Sequence, residues 1–207
     1  MKKTFILLSL LLLAFSGNAF AQKDLTAKQL FMLLPNEYVS GTKSERETAL
    51  VFPNSIKSDF LTFMISGKLV PKNLAGDFKQ AEGLGDMRVF KGKSSVIVGL
   101  RYQIGDGQEA NPTVDTTKLV TVLLEYKGKK WTNVTDSLLP KISADAAHQA
   151  LIKFDETKDA KKENVWVETQ VSKDRGGLLL IGRVKGSETV TPLKFFQWNG
   201  AKFIESE

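Results

Sequence analysis

The sequence predicts an α+β fold of two tandem related units, each with short helices packed on an antiparallel β-sheet meander. Two observations carry that expectation: capped, proline-ended helical segments precede β-branched and aromatic runs broken at glycine turns, and this plan occurs twice along the chain. With no cysteine, no disulfide can staple the fold, so its stability has to come from a core.

The chain opens MKKTFILLSLLLLAFSGNAFAQKD, with Lys2 and Lys3 ahead of an apolar run from Phe5 to Phe15 and an A-x-A site at Ala19-Phe20-Ala21. Residues 1–21 read as a secretory signal peptide, followed by an N-terminal unit at 22–136 and a C-terminal unit at 137–207. The apolar run falls short of the ~20 residues of a membrane span. No later segment supplies a transmembrane span, and the expected location is exported, periplasmic or extracellular. Loss of Lys2 and Lys3 with the signal peptide takes the formal net charge from +6 to about +4, which is mildly basic. Nucleic acid is not the partner expected of an exported protein.

In LTAKQLFMLLP, Thr26 and Gln29 form a capping box, Leu25 and Leu30 a hydrophobic staple, and Pro35 ends the helix. TKSERETALVFP predicts a second helix capped by Ser44 and Glu47 and stopped at Pro53. Strands are expected in residues 58–66, 86–105 and 118–134, while the glycines in KNLAGDFKQAEGLGD favour loop. Ser143 then caps a helix whose Ala147, Ala150, Leu151 and Phe154 share one face. Four strands follow, in VWVETQV, GLLLIGRV, TPLKFFQW and AKFIES.

The halves match at three places in the same order. LLP precedes a helix containing Ala-Leu in each half; VIVGLR, ending at Arg101, parallels LLIGR, ending at Arg183; LLEYKGKKW parallels FFQWNGAKF. The common order favours an internal repeat. Restricted turn chemistry in similar hairpins is the alternative.

Asn199-Gly200 reads as a two-residue type I′ turn. It would set Trp198 opposite Ala201 and Phe196 opposite Phe203, with Trp198, Phe196 and Phe203 on one face. The same register at Lys127-Gly128 places Glu125 opposite Lys130 and Leu124 opposite Trp131. These aromatics are explained by packing, although Trp198 is a candidate binding residue because a tryptophan beside a hairpin end can be partly exposed. Alternate turns of a meander share an end, which gathers Lys91, Lys93, Lys127, Lys129 and Lys130 into a basic rim, with Lys173, Arg175 and Lys202 as additions. Such a rim can attract an anionic surface, and edge lysines also keep sheets soluble and unpaired. The long loop 105–117 offers Asp106, Glu109 and Asp115, but their spacing does not fit a calcium loop.

Signals for catalysis, a cofactor or a metal are lacking. His148 is the sole histidine, which excludes multi-histidine metal sites, and no G-x-S-x-G elbow accompanies it. GLGD at Gly83 to Asp86 lacks the third glycine and following helix of a dinucleotide fingerprint. Asn133-Val134-Thr135 is a glycosylation sequon by pattern alone. The reading is an exported noncatalytic binding protein for a protein or anionic cell-envelope component, with a carrier of a lipid or other apolar ligand and a carboxylate-dependent hydrolase as alternatives. Tandem helix-plus-sheet units of this kind look like those of secreted enzyme-inhibitor proteins; this likeness of arrangement carries no motif and transfers no residue role.

Overall fold

Thr26 starts the first helix as the sequence predicts. Its hydroxyl accepts from the Gln29 amide while the Gln29 side chain accepts from the Thr26 amide, closing a capping box ahead of α1 (Ala27–Leu33). The second cap differs from the expectation. Thr42 and Glu45, not Ser44 and Glu47, form the box that opens α2 (Lys43–Thr48), and Pro53 starts a 3₁₀ turn (Pro53–Ser55) well beyond the helix end. The earlier start lets Arg46 point inward, where it is buried and donates to the carbonyls of Phe31, Met32, Leu34 and Val39 and to the Asn36 side chain. A cation thus satisfies the carbonyls that α1 leaves open at its C-terminus.

The computed structural model describes residues 24–71, 81–106, 118–153, 159–187 and 190–206. Within them lie two antiparallel sheets: one of five strands in the order β1 (Phe60–Ser66), β2 (Ala81–Lys91), β3 (Val96–Asp106), β4 (Lys118–Lys127), β5 (Lys130–Asn133), and one of four in the order β6 (Val165–Val171), β7 (Gly177–Val184), β8 (Val190–Trp198), β9 (Phe203–Ser206). Two short helices, α3 (Thr135–Leu138) and α4 (Ala144–Leu151), connect them. Ser143 caps α4 by accepting from the Ala146 amide, and Ala147 and Leu151 are buried. Phe154, expected on the same face, lies outside the described residues. Among the described residues no helix is long and apolar enough to cross a membrane.

Residues 81–85 correct the loop expectation, because AEGLGD is the first half of β2. Its glycines are there for close packing. A Cβ on Gly85 would stand 2.1 Å from the Phe63 ring, and one on Gly83 would stand 1.9 Å from the Gln103 carbonyl oxygen. The residues between 72 and 80, the rest of that uncertain stretch, lie outside the described residues.

The two hairpin expectations also shift. The turn between β4 and β5 is Gly128-Lys129, both at positive φ (57° and 64°), so Tyr126 rather than Leu124 faces Trp131, and Glu125 faces Thr132 rather than Lys130. Between β8 and β9 the loop is 199–202: Trp198 pairs with Phe203 and Phe196 with Glu205. Asn199 holds this longer loop through its side-chain oxygen, which accepts from the amides of Ala201 and Lys202.

The first sheet has two unlike faces. One, with Leu61, Phe63, Met87, Val98, Leu100 and Tyr102, packs against Leu30, Phe31 and Leu34 around α1. The other contributes Phe60, Phe90, Ile97 and Leu123 to a smaller apolar cluster with Val171 and Leu178 of the second sheet. β6, the edge strand of that second sheet, touches β2, β3 and β4 across this face.

Candidate functional site

The strand register gathers the predicted rim. Lys91 is opposite Val96, and Val96 is opposite Tyr126, the neighbour of Lys127. The turns after β2 and β4 therefore share one end of the sheet, where Lys91, Lys93, Lys127, Lys129 and Lys130 are all exposed. Among the described residues none of these five lysines has an ion-pair partner, whereas Lys57, Lys68, Lys162 and Lys194 each meet a carboxylate. The 199–202 loop joins the same end: the Gly200 carbonyl lies 3.4 Å from where a Cβ on Gly92 would stand, and Lys202 is exposed beside it. Lys173 and Arg175 sit in the β6–β7 turn, whose Gly176 carbonyl accepts from the Trp198 amide; the Arg175 guanidinium lies 5.5 Å from the Phe195 ring centre.

Trp198 is only partly exposed. Its ring packs on Phe90 and Phe203, with centroids 6.1 and 5.0 Å away, and its indole N–H donates to the Lys91 carbonyl at 2.9 Å. It is first a bridge between the sheets. Its remaining surface, with Lys93, Ser94, Glu125 and Ser137, lines an open cleft of about 340 Å³ at the rim.

A second group of polar residues lies deeper between the sheets, and the sequence reading did not identify it. Glu168 on β6 is buried, with its side chain 4% exposed. Arg101 of β3 donates to its Oε1 at 2.7 Å, Arg183 of β7 donates to its Oε2 at 2.7 Å, and Gln170 adds a bond at 3.1 Å. Burial pushes the Glu168 carboxyl up, but the hydrogen bonds from Arg183 and Arg101, the Arg101 charge and Gln170 together hold it below the usual glutamate value. Thr121 donates to the Thr169 carbonyl at 2.6 Å, and Arg88, paired with Asp59, donates to the Ser172 and Lys173 carbonyls. Side chains of the first sheet thus satisfy a backbone carbonyl of β6 and two in the turn that follows it. The available signal was charged residues inside the apolar strands VIVGLR, LLIGR and VWVETQV.

Beside this network opens a cleft of about 500 Å³ between β4 and β6, lined by Leu119, Thr121, Leu139, Glu163, Asn164, Trp166 and Lys185 among others. Glu168 borders it, but its oxygens are occupied by the arginines, so it is poorly placed to transfer a proton. His148 Nε2 lies 2.7 Å from the Ala160 carbonyl, an acceptor, so this nitrogen carries the hydrogen in that bond. Among the described residues no group of three His, Asp or Glu side chains is placed to hold a metal. Most of the long loop, residues 107–117 with Glu109 and Asp115, lies outside the described residues. No family model, curated protein or solved structure shows significant similarity to this chain.

Proposed function

We propose that this chain is an exported, noncatalytic binding protein whose lysine-bearing sheet end engages an anionic surface of a protein or cell-envelope component. One observation supports this reading above the others. Five exposed lysines from separate strands and turns meet at one end without carboxylate partners among the described residues, and Lys202 adjoins them. Concentrated like charge favours long-range attraction of an anionic partner, weakened by salt as the screening length shrinks.

The test compares the mature chain with a Lys91→Glu, Lys127→Glu, Lys129→Glu variant for capture of envelope components and for binding to vesicles of anionic or zwitterionic lipid. Salt-sensitive binding lost in the triple variant is expected. Equal binding by both proteins removes the rim as the binding surface.

The same proposal includes descent of the two units from one ancestor. Arg101, on β3 of the five-stranded sheet, and Arg183, on β7 of the four-stranded one, are paired by the sequence match, occupy the second strand of the runs β2–β5 and β6–β9, and meet on one carboxylate. Superposition of β2–β5 on β6–β9 tests the relation. The two arginines should coincide; a one-residue offset, which would turn one of them to the opposite face, overturns it.

A further inference from the structure

We propose that the cleft between β4 and β6 is a binding site for a neutral oligosaccharide. Its volume of about 500 Å³ is in the range of small-ligand sites, roughly 300–1,000 Å³. Its lining includes Thr121 on the first sheet and Trp166 on β6, and Asn164 and Lys185, which are brought together where the Lys185 amide donates to the Asn164 carbonyl.

The tryptophans identify the ligand face. Trp131 donates its indole N–H to the Leu33 carbonyl and Trp198 donates to the Lys91 carbonyl, both at 2.9 Å. Among the described residues the indole N–H of Trp166 has no such partner, and Trp166 is the tryptophan that lines this cleft. A partly exposed indole offers an apolar wall and one free donor, which suits the C–H face of a pyranose ring with its flanking hydroxyls.

Charge selects among ligands. Glu168 and Asp86 together balance Arg101 and Arg183, and the more open Glu163 and Lys185 are of opposite sign. A wholly apolar ligand would desolvate Asn164, Glu163 and Lys185 without replacing their hydrogen bonds with water. An anion would meet Glu163, and a cation would meet Lys185. A polyhydroxyl ligand both donates and accepts, and so satisfies this mixed lining. Because Glu168 is held by two arginines, the described residues lining the cleft offer no pair of free carboxyls of the kind glycoside hydrolysis uses, and the proposed role is binding without cleavage.

The experiment presents the mature chain to an array of neutral and anionic oligosaccharides, then titrates the best neutral one by tryptophan fluorescence. The variants are Trp166→Ala, Trp166→Phe, Asn164→Ala, Lys185→Ala and the triple lysine variant. Saturable binding weakened about tenfold or more in Trp166→Ala, less in Trp166→Phe, and unchanged in the triple lysine variant is expected. Asn164→Ala and Lys185→Ala, in the same lining but away from the core, weaken it as well and keep the test valid if Trp166→Ala fails to fold. No binding of any neutral oligosaccharide, or binding indifferent to Trp166, Asn164 and Lys185, overturns the proposal. Binding of anionic glycans alone, lost in the triple lysine variant, supports the rim and overturns the cleft.

Discussion

The two faces of the first sheet are held by different physics. On the α1 side the contact is apolar: Phe63 packs on Phe31 with ring centres 4.7 Å apart, and Tyr102 is 6.4 Å from Phe63, edge to face. On the β6 side a small apolar cluster is joined to a charged network of Arg101, Glu168 and Arg183 and to side-chain bonds onto carbonyls of β6 and the turn after it. Apolar packing is non-directional and tolerates small shifts, whereas buried ion pairs depend on geometry, and losing one partner strands the other. The first face therefore builds the domain; the second sets where the other sheet sits.

Substitutions can break that contrast, from the largest effect to the smallest. Phe63→Ala removes the ring that fills the space over Gly85 and should cost about 3–5 kcal/mol, read as a lower urea midpoint with every probe moving together. Glu168→Gln leaves Arg183 without a counter-charge among the described residues and Arg101 with only the more distant Asp86, 3.5 Å away, and should cost about 3 kcal/mol near neutral pH. Its acid limb sharpens the comparison. The folded-state pKa of Glu168 is lowered, so its ion pairs contribute fully above the ordinary glutamate value of 4.5 and lose that contribution as pH falls through the lower folded value. Stability curves of wild type and Glu168→Gln should converge in acid, and a constant gap down to the lowest pH rejects this account.

Gly99→Ala acts at the contact between the sheets, since its Cβ would lie 2.9 Å from Val171 Cγ1, and it should cost about 1–3 kcal/mol by overpacking. Amide hydrogen exchange should quicken along β6 and β7 while β1 stays protected. Trp198→Phe keeps a ring beside Phe90 but removes the donor to the Lys91 carbonyl, for about 1 kcal/mol in thermal unfolding.

Much of the element order was readable because local chemistry dictates it. Thr26 and Gln29 cap a helix through groups three residues apart, and the β-branched runs of the second half became β6 to β9. The glycines at 83 and 85 misled because a strand tolerates glycine where a neighbour presses close, and Phe63 and Gln103 come from other strands. Both hairpins were found and both registers missed. Gly128-Lys129 took the tight turn, aligning Tyr126 with Trp131 at 4.6 Å, while Asn199 used its side chain to hold a longer loop that aligns Trp198 with Phe203 beside Phe90. In each case the aromatic contacts accompany the turn.

The lysine rim was the readable part of the candidate site, since alternate turns of any meander share an end. The Glu168 network and the Trp166 cleft were not, because Arg101, Glu168 and Arg183 come from three strands in two sheets.

By itself the sequence determined the Thr26 and Ser143 caps, most helical and strand segments, the absence of a disulfide and the lysines at the turns, all set by interactions between near neighbours. Only the tertiary structure decided the hairpin registers, the docking of β6 across the first sheet, and the pairing of two distant arginines with one carboxylate. Those outcomes depend on which surfaces exclude water together, and that is settled between segments rather than within them.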